Sequence, residues 1–408
     1  MKFKMQCIAD LHIHSRFSRA TSHDITIANL EKWARIKGLD LLGTGDFSHP
    51  EWFKELKREL QEQEGILETK TGFHFILQNE ISLIYEQNNK ERRVHLVLLA
   101  PSFEIVEQIT DYLKKHGRVD YDGRPIFNIP CYEFVEQMMS ISKDIEIIPA
   151  HVWTSWFGIF GSATGFNSME EAFQDKANYI HAFETGMSSD PAMNWRLSML
   201  DKYAIVSFSD SHSYWPWRLG REATVFELKK LTYKEIIESI REKKIALTIE
   251  TPPAYGKYHF DGHRFCKFSC SPEEAVKLNN KCPVCKKPLT IGVLHRVEEL
   301  ADREEGFKPQ NARPFKTLLP LHELISTIMQ STLTTKKVWQ EYNALIKAFE
   351  NEFNILLNVP FHELVKVTSE KIANAIIKNR EAKIKVKPGY DGKYGELILE
   401  SDKQKKLI

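Results

Sequence analysis

The sequence lacks long apolar runs, and it has no surplus of charge of either sign. No apolar run approaches the ~18 residues that would suggest a membrane-spanning helix. With 42% hydrophobic and 27% charged residues, the composition is typical of a soluble globular protein. The start, Met1-Lys2-Phe3-Lys4, has no apolar segment of the signal-peptide type, which predicts a cytoplasmic location. The formal net charge of +1 excludes a uniformly basic coat for nucleic acid but permits a local basic groove.

Cysteine is also scarce, with six residues in a chain of 408. We expect the isolated Cys7 and Cys131 to be small buried apolar residues. The other four form two closely spaced pairs, which in a reducing compartment predict a structural zinc site rather than disulfides. The predicted zinc ligands are Cys266, Cys270, Cys282 and Cys285. Such a site holds together a module that is too small to have a core of its own.

Up to about residue 250, short β-branched apolar segments alternate with helical ones. The pattern predicts strands near residues 4–12, 39–45, 73–82, 93–100, 145–151, 179–184 and 204–210. Helices are predicted at 26–37, 51–63, 103–116, 132–142, 169–175, 191–201 and 232–243. Alternation of this length favours a parallel α/β barrel or a doubly wound sheet.

Acidic residues and histidines fall at the carboxyl ends of the predicted strands. Those at or just beyond a strand end are Asp10, His12, His14, Asp46, His49, Glu80, His151, Glu184, Asp210 and His212. His95 is the exception, since it lies within its strand. In a β/α barrel all strand carboxyl ends open onto one face, so these side chains are expected to gather in one cup.

Mixed histidine and carboxylate ligands suit divalent ions of intermediate hardness, such as zinc, manganese or iron. The set exceeds what one ion needs, so we expect a multinuclear centre. Such a centre suits phosphate-ester hydrolysis, because it activates water and stabilises charge on both the attacking and the leaving oxygen.

The motifs Asp10-Leu-His12-Ile-His14, Gly45-Asp46, Asn79-Glu80, His95, Pro149-Ala150-His151 and Asp210-Ser211-His212 resemble those of the PHP (polymerase and histidinol phosphatase) domain. The resemblance implies an α/β fold, a distorted (β/α)7 barrel, with two or three divalent ions (Zn²⁺, Mn²⁺ or Mg²⁺). It implies the metal ligands His12, His14, His95, His151, Asp210 and His212, with Glu80 as a bridge. Glu80, Asp210 and Glu184 are the candidate catalytic carboxylates.

Three assignments stay open within this resemblance. Either Asp46 ligates alone or His49 reaches back to join it. The early ligand that usually follows the first motif is His23 or Asp24. Asp10 is expected to orient an imidazole rather than to bind metal directly.

The loop after His151 is unusually aromatic for a barrel-top loop. Trp153, Trp156 and Phe157 are candidates for stacking a nucleobase, and a small loop core or a domain interface is an equally good interpretation. Trp215 and Trp217 permit the same two interpretations. Arg218 and Arg221 are candidate phosphate contacts.

Beyond the cysteine module the chain reads as mainly helical. Thr335 is a fair N-cap for a helix with the apolar face Val338, Tyr342, Leu345, Ile346, Phe349, Phe353, Leu356 and Leu357. A further helix is predicted near 369–382, and the Asp391-Gly392 step predicts a terminal hairpin. The predicted domains are 1–253, the barrel; 254–317, the zinc module; and 318–408, the helical region with its hairpin. Residues 371–408 hold 10 Lys or Arg against 5 Asp or Glu, which indicates a solvated charged face or an edge that contacts DNA backbone.

This order of segments, with Gly389-Tyr-Asp-Gly-Lys-Tyr-Gly395, resembles the endonuclease Q family of DNA repair nucleases nearly end to end. The resemblance implies cleavage 5′ to deaminated bases (uracil, hypoxanthine, xanthine) or abasic sites in double- or single-stranded DNA. It also makes a sliding clamp a candidate partner, although the tail Gln404-Lys-Lys-Leu407-Ile408 holds only part of a clamp motif. The alternatives are a histidinol-phosphatase-like phosphomonoesterase and a non-catalytic DNA-binding scaffold whose metals are structural.

Overall fold

The structure, a computed structural model, describes residues 5–398. It is a mixed α/β fold built on a central sheet. The strands are β1 (Met5–Asp10), β2 (Leu41–Gly43), β3 (Gln61–Gln63), β4 (Ile66–Glu68), β5 (His74–Gln87), β6 (Lys90–Ala100), β7 (Ile126–Phe127), β8 (Glu146–Pro149), β9 (Ala182–Glu184), β10 (Ala204–Val206), β11 (Ala223–Leu228), β12 (Ile245–Glu250), β13 (Asp261–His263), β14 (Phe268–Cys270), β15 (Phe315–Thr317), β16 (Val386–Lys387) and β17 (Glu396–Leu397).

The α-helices are distributed over both halves of the chain. They are α1 (Ile27–Lys37), α2 (Pro50–Glu59), α3 (Phe103–His116), α4 (Cys131–Ile141), α5 (Met169–Phe173), α6 (Pro191–Asn194), α7 (Tyr233–Arg241), α8 (Pro272–Lys277), α9 (Val293–Leu300), α10 (Leu321–Ile328), α11 (Lys336–Phe349), α12 (Glu352–Leu357), α13 (Phe361–Leu364) and α14 (Glu370–Arg380). Short 3₁₀ turns span Gln174–Tyr179, Ser198–Leu200, Pro253–Tyr255 and Arg264–Cys266.

The seven predicted strands are confirmed as β1, β2, β5, β6, β8, β9 and β10, but they are not all parallel. The pairs β1–β2, β2–β5 and β9–β10 are parallel, whereas β6 runs antiparallel to both β5 and β8. The cause is a two-residue turn: Asn88 and Asn89 both have φ of 57°, which joins β5 and β6 as a tight hairpin. The reversal of β6 places His95, inside its strand, opposite Ser82 and near the carboxyl ends of the other strands.

Backbone hydrogen bonds continue around the strand ends beyond the regular ladders. Val152 donates to the Glu184 carbonyl (3.1 Å), which joins the end of β8 to β9. Beyond the β9–β10 pair, His14 donates to the Ser211 carbonyl (2.9 Å) and so joins the extension of β10 to that of β1. Strands β11 and β12, which the sequence pattern did not predict, extend the sheet on the other side of β1.

Side-chain alternation along β1 divides the apolar core into two layers. Cys7, Ala9 and Leu11 lie in one buried cluster, which the antiparallel strand β11 and helix α7 also line. Ile8 and Ile13 face a second, larger cluster, which helices from both halves of the chain line. The free cysteines Cys7 and Cys131 are both buried, as predicted.

Two predicted helices are broken, each at a side chain that competes for backbone groups. In place of a helix over 191–201, α6 ends at Asn194, whose side-chain amide donates to the carbonyl of Asp190 (2.8 Å). The long helix predicted after Thr335 stops at Phe349, because Glu350 has φ of 73° and Asn351 caps the separate helix α12. The hairpin predicted at Asp391-Gly392 is confirmed by the pairing of β16 with β17.

The helical region packs against the α/β region through aromatic side chains and a buried ion pair. Trp215 and Trp217 stack with their rings 5.3 Å apart, and Trp33 and Trp339 close the same cluster. Beside it, Lys37 Nζ lies 2.7 Å from Glu352 Oε1, and both side chains are buried. The domain-interface interpretation of Trp215 and Trp217 is therefore the one that the packing supports.

Within residues 5–398 we find no helix with the length and apolar character needed to cross a bilayer. The predicted features at Met1–Lys4 and in the tail Gln404–Ile408 lie outside the described residues.

Candidate metal centre

His12 and His14 follow β1 and point their rings into a buried space at the strand ends. The carboxylate of Glu184 lies 3.0 Å from Nδ1 of His12, and Asp46 Oδ1 lies 3.2 Å from Nδ1 of His14. A carboxylate on Nδ1 leaves Nε2 as the ligand atom, which is the usual arrangement of metal-binding histidines. Nε2 of His12 is buried and has no hydrogen-bond partner among the residues that the structure describes. This orphaned nitrogen fits a bound cation.

Glu80 stands between two groups of donor atoms and shares one oxygen with each. Its Oε2 lies 3.2 Å from Nε2 of His14, and its Oε1 lies 3.0 Å from Nε2 of His151 and 2.6 Å from Nδ1 of His95. The groups are His12, His14, Glu80 and Asp210, and Glu80, His95 and His151. In each group the donor atoms lie within 4.8 Å of one another. The geometry suits at least two cations bridged by one carboxylate.

The backbone at three of the strand ends is in the left-handed region that non-glycine residues usually avoid. Asp46, His151 and Asp210 have φ of 44°, 28° and 47°. Each such residue costs on the order of 1–3 kcal/mol, a cost that the surrounding fold must offset. The strain turns these side chains inward at the points where their strands end.

Charges within the cluster set the ionisation of its members. Burial opposes ionisation of Glu80, but His95, Arg124 and His12 lower its pKa well below the usual value. Burial likewise opposes ionisation of Asp210, and the hydrogen bond from His14 lowers its pKa well below the usual value. Burial lowers the pKa of His95 to about 4. Burial opposes protonation of His12, His14 and His151, but the surrounding carboxylates raise the pKa of all three above the usual value. The cluster therefore offers anionic carboxylates and a neutral His95, and a cation that binds there displaces protons from the other imidazoles.

The structure places Asp46 and His49 outside both donor groups. The Asp46 carboxylate is occupied by Nδ1 of His14, by the backbone and hydroxyl of Ser15 (both 2.6 Å) and by Ser18 (2.9 Å). His49 stacks on Phe17 with ring centroids 4.2 Å apart and lies outside both donor groups. Asp46 contacts Nδ1 of His14 and so can orient this imidazole, and whether Asp46 or His49 also ligates stays a prediction.

Asp10, Glu184 and His212 surround the two donor groups, and their predicted roles stay predictions. Asp10 accepts the backbone N–H groups of Ser209 and Gly220 (both 2.9 Å), so it ties loops together. Glu184 orients His12 and accepts the backbone N–H of His151 (2.7 Å). His212 lies at the rim, with its ring 4.4 Å from that of His14 and outside the two donor groups. The other open candidates, His23 and Asp24, are exposed and are also outside these groups.

Arg124 is the functional candidate that the sequence pattern missed. Its Nη1 lies 3.1 Å from Glu80 Oε2, and a quarter of its side chain is exposed. It lies on the loop between α3 and β7, where a Cβ at Gly123 would collide with the Asp46 carboxylate. No strand ends there, so strand-end reasoning gave no signal for it.

Three of the predicted substrate contacts have polar partners within the fold, and their substrate roles stay predictions. Trp153 is buried and donates to Asn194 (2.8 Å), Arg221 donates to the Ser209 carbonyl (2.8 Å), and Arg218 pairs with Glu323 (3.0 Å). Their polar groups are thus already used within the fold. Trp156 is 38% exposed, and Phe157 lies beside His95 with ring centroids 4.5 Å apart. These two side chains therefore stay candidates for contact with a nucleobase.

A crevice of about 130 Å³ begins at His151 and Asp210 and is lined on its far side by Lys257 and Tyr394. Glu222 lies in its wall, fully buried, and its Oε2 has no hydrogen-bond partner in the described part of the chain. Burial raises the pKa of Glu222 to about 7, and the nearby carboxylate of Glu184 adds to this effect. The crevice therefore places a neutral or readily protonated carboxyl close to the metal centre.

The raised pKa of Glu222 predicts a specific dependence of stability on pH. The folded protein binds this proton more tightly than the unfolded chain does. The protonated carboxyl therefore contributes its full share to the unfolding free energy below about pH 4.5, and this share is lost as pH rises through 7. At roughly 1.4 kcal/mol per pKa unit, the rise from 4.5 to about 7 corresponds to a loss on the order of 3–4 kcal/mol. We expect Glu222→Gln to reduce the change in unfolding free energy between pH 5 and 8, as measured by denaturant titration. Part of the change remains, because burial also raises the pKa of the nearby Glu250 carboxyl. The exposed Glu227→Gln on β11 is the control, and an unchanged pH profile in Glu222→Gln would contradict the prediction.

The cysteine module brings together three of the four predicted ligands. The donor atoms of His263, Cys266, Cys282 and Cys285 lie within 4.8 Å of one another, and His263 Nδ1 is 3.6 Å from Cys285 Sγ. Cys270 lies outside this group, although it shares a small apolar cluster with Cys282, against which Cys266 and Cys285 also pack. Backbone N–H groups of Cys285 and Val284 lower the pKa of Cys282 despite burial, which suits a thiolate ligand.

We expect Cys266→Ser to lose one metal ion per chain, measured by elemental analysis, while the isolated Cys131→Ser retains it. The fourth ligand is decided by comparing His263→Ala with Cys270→Ser. The geometry predicts metal loss in His263→Ala. Full metal content in that variant with loss in Cys270→Ser would restore the four-cysteine site predicted from the sequence.

Comparison with known proteins places relatives over nearly the whole chain. The family described as "MJ0043 C-terminal domain" matches residues 320–383. The chain is 32% identical over 295 residues to an uncharacterized protein of Methanocaldococcus jannaschii, MJ0043, which aligns with 70% of this chain and 35% of that relative. The chain thus spans about a third of the length of that curated relative.

Two solved structures are similar over almost their full length. One is the lesion-specific endonuclease PfuEndoQ from Pyrococcus furiosus, with 33% identity, a TM-score of 0.87, and 97% of this chain and 96% of that chain covered. The other is endonuclease Q in complex with a 27-mer duplex that has an abasic lesion at the active site. It has 33% identity and a TM-score of 0.88, with 97% of this chain and 98% of that chain covered.

Proposed function

Because this chain belongs to the endonuclease Q family, we propose that it is a metal-dependent DNA repair endonuclease. Its proposed reaction is hydrolysis of the phosphodiester 5′ to deaminated bases (uracil, hypoxanthine, xanthine) or to abasic sites. The observation on which the proposal rests is the pair of donor groups that share Glu80.

The residues proposed to hold the ions are His12, His14, Glu80 and Asp210 for one, and Glu80, His95 and His151 for another. When bound, two or three divalent ions (Zn²⁺, Mn²⁺ or Mg²⁺) would supply Lewis acidity toward the phosphate and lower the pKa of water. Glu184 and Asp46 position the imidazoles of His12 and His14. Zn²⁺ is the proposed occupant of the cysteine module, where it would have a structural role.

Arg124 is proposed to contact the scissile phosphate. Its guanidinium stands beside Glu80 and is partly exposed, so it faces the space where a phosphate bound to the centre would lie. A planar cation with several N–H donors matches non-bridging phosphate oxygens and stabilises the charge that develops on them. Glu80 holds the guanidinium in place before substrate arrives.

The crevice between the metal centre and Tyr394 is proposed to receive the lesion nucleotide after it leaves the helix. A damaged or mispaired base costs less to extrude, which by itself favours lesions over normal pairs. Glu222 provides a buried carboxyl with a free oxygen in the crevice wall. The exposed Trp156, next to Tyr258, is proposed to contact the nucleotide at the entrance.

The finer architecture is proposed on the same basis. The hydrogen bonds that join β8 to β9 and the extension of β10 to that of β1 support a distorted (β/α)7 barrel of the PHP type, with β6 reversed. The divisions 1–253, 254–317 and 318–408, and sliding-clamp binding through the tail, stay predictions.

The function is tested by incubating the full chain with Mn²⁺, Mg²⁺ or Zn²⁺ and end-labelled duplexes that contain one deoxyuridine, deoxyinosine or abasic site. We expect a single cut on the 5′ side of the lesion and none in the matched undamaged duplex. Uncut lesion strands with all three metals would refute the proposal.

A further inference from the structure

The cysteine module exposes an apolar side chain that the fold does not use. Phe265 is 92% exposed on the 3₁₀ turn Arg264–Cys266, and Val284 is 67% exposed between Cys282 and Cys285. Because the thiols of Cys266, Cys282 and Cys285 lie within 4.8 Å of one another, the two turns meet at one end of the module. We call the exposed residues of these turns, Arg264, Phe265, Lys267, Val284, Lys286 and Lys287, the module tip.

The module tip is strongly cationic, and its cations are not used in ion pairs. Residues 264–287 contain six Lys or Arg and two Glu. Glu273 and Glu274 lie on α8, where Glu274 accepts the backbone N–H of Ser271 (3.0 Å). No ion pair with residues 5–398 involves any of the exposed cations Arg264, Lys267, Lys281, Lys286 and Lys287.

An exposed aromatic ring among unpaired cations matches the chemistry of a nucleic acid. Lysine and arginine neutralise phosphates, and an apolar side chain inserts between or stacks on bases. An acidic protein surface would satisfy the lysines but would leave the phenylalanine without an apolar partner of its own. Charge complementarity together with the exposed ring therefore favours DNA as the occupant.

The module tip is joined rigidly to the crevice beside the metal centre. The backbone N–H of Arg264 donates to Asp391 Oδ2 (2.6 Å), and Thr290 donates to Asp391 Oδ1 (2.8 Å). Gly392, the next residue of this turn, donates to the Lys257 carbonyl (3.0 Å). Lys257 and Tyr394 line the crevice, with Nζ of Lys257 4.9 Å from the Tyr394 ring centroid. The terminal hairpin thus connects the two surfaces.

We infer that the module tip binds the DNA duplex beside the lesion, with its lysines on phosphates and Phe265 inserted against the bases. The inference rests on the proposed function for the identity of the substrate, but it concerns a surface outside the metal centre. Its role is to hold the duplex in a distorted form while the lesion strand lies in the metal centre. An aromatic contact with a base changes affinity by roughly 10-fold or more when it is removed.

The test compares Phe265→Ala with Val276→Ala in the metal-loaded full chain. Val276 is also exposed (60%) on the same module, on α8 and outside the tip. Fluorescence anisotropy of a labelled duplex gives Kd, and 2-aminopurine beside the lesion reports unstacking. We expect Phe265→Ala to raise Kd roughly 10-fold or more and to remove the 2-aminopurine signal, with bound metal unchanged. We expect Val276→Ala to match the wild type in both measurements.

A Kd within twofold of the wild type and an unchanged 2-aminopurine signal in Phe265→Ala would overturn the inference, even if the wild type cuts lesion strands. Failure of the proposed function has a different signature, since the wild type would cut no lesion duplex at all. Weaker duplex binding by Phe265→Ala in that case would still support the module tip as a DNA-binding surface. As a second variant, Lys286→Ala should lower the dependence of Kd on salt concentration, and an unchanged dependence would count against phosphate contact.

Discussion

Glu80→Gln is expected to lower the rate of lesion-strand cleavage at least about a thousandfold, because several kcal/mol of charge stabilisation depend on the ions that Glu80 bridges. Each oxygen of Glu80 belongs to a different donor group. The amide has nearly the same shape, but it has no negative charge and only one good acceptor oxygen. It can complete one group but not both.

The measurement has two parts, single-turnover cleavage of a deoxyuridine duplex and metal content by elemental analysis. We expect Glu80→Gln to lose at least one ion while the ion of the cysteine module stays. The matched control is Glu86→Gln, the same substitution at an exposed position on the same strand. Cleavage by Glu80→Gln at the wild-type rate with full metal content would show that the shared carboxylate is not a bridge.

The members of the centre could be predicted where a strand ends, because strand ends follow from local sequence. His12, His14 and His151 lie at or just beyond strand ends, as predicted. Glu80, predicted at the end of a strand over 73–82, lies inside the longer β5. The parallel pairs β1–β2 and β2–β5 bring several of these side chains to one side of the sheet. The sequence did not predict which carboxylate orients which imidazole. Those pairs depend on distances between segments that are far apart in sequence.

His95 shows how one turn changes the interpretation of a site. If all strands were parallel, a histidine in the middle of a strand would lie away from the strand ends, so His95 did not fit the predicted site. Asn88-Asn89 is a two-residue turn with both residues at positive φ, the same geometry that was recognised at Asp391-Gly392. Reversal of β6 at this turn carries His95 to the other strand ends, so the exception and the wrong strand direction have one cause.

Asp46 and Cys270 lie outside the donor groups for a related physical reason. Both residues have the chemistry and the spacing of ligands, but in each case neighbouring side chains lie between them and the predicted position or beside it. Ser15 and Ser18 occupy the carboxylate of Asp46, and His263 stands beside the other three cysteines. The spacing of residues along the chain shows which donor atoms are available. Coordination depends on which of those atoms the fold directs toward one point.

The positive φ values at Asp46, His151 and Asp210 indicate that the centre is held at a cost in stability. Strain of this kind persists only where the surrounding structure imposes it. The hydrogen bonds from Ser209 and Gly220 to Asp10 tie the loops that contain Asp210, and Glu184 holds His151 from below. Positioning of the donors before any ion arrives is the benefit that offsets this strain.

Arg124→Ala is expected to lower the rate of the chemical step by about 10² to 10³, the range seen when one donor to a developing oxyanion is removed. The guanidinium nitrogen Nη1 lies 3.1 Å from Glu80 Oε2. It is not a ligand, so we expect metal content to stay at the wild-type level. Arg124→Lys should restore part of the rate, because it keeps the charge but loses the planar fork of donors.

Arg118→Ala is the matched control, since Arg118 lies on the same loop, is 73% exposed and pairs only locally with Asp120. A role in substrate positioning alone would raise KM and leave the single-turnover rate at saturation unchanged, whereas contact with developing charge lowers that rate. Loss of bound metal in Arg124→Ala would instead mean that the arginine maintains Glu80 in its bridging geometry. The combination of full metal content, unchanged KM and a reduced saturating rate is the result that only a phosphate contact in the transition state produces.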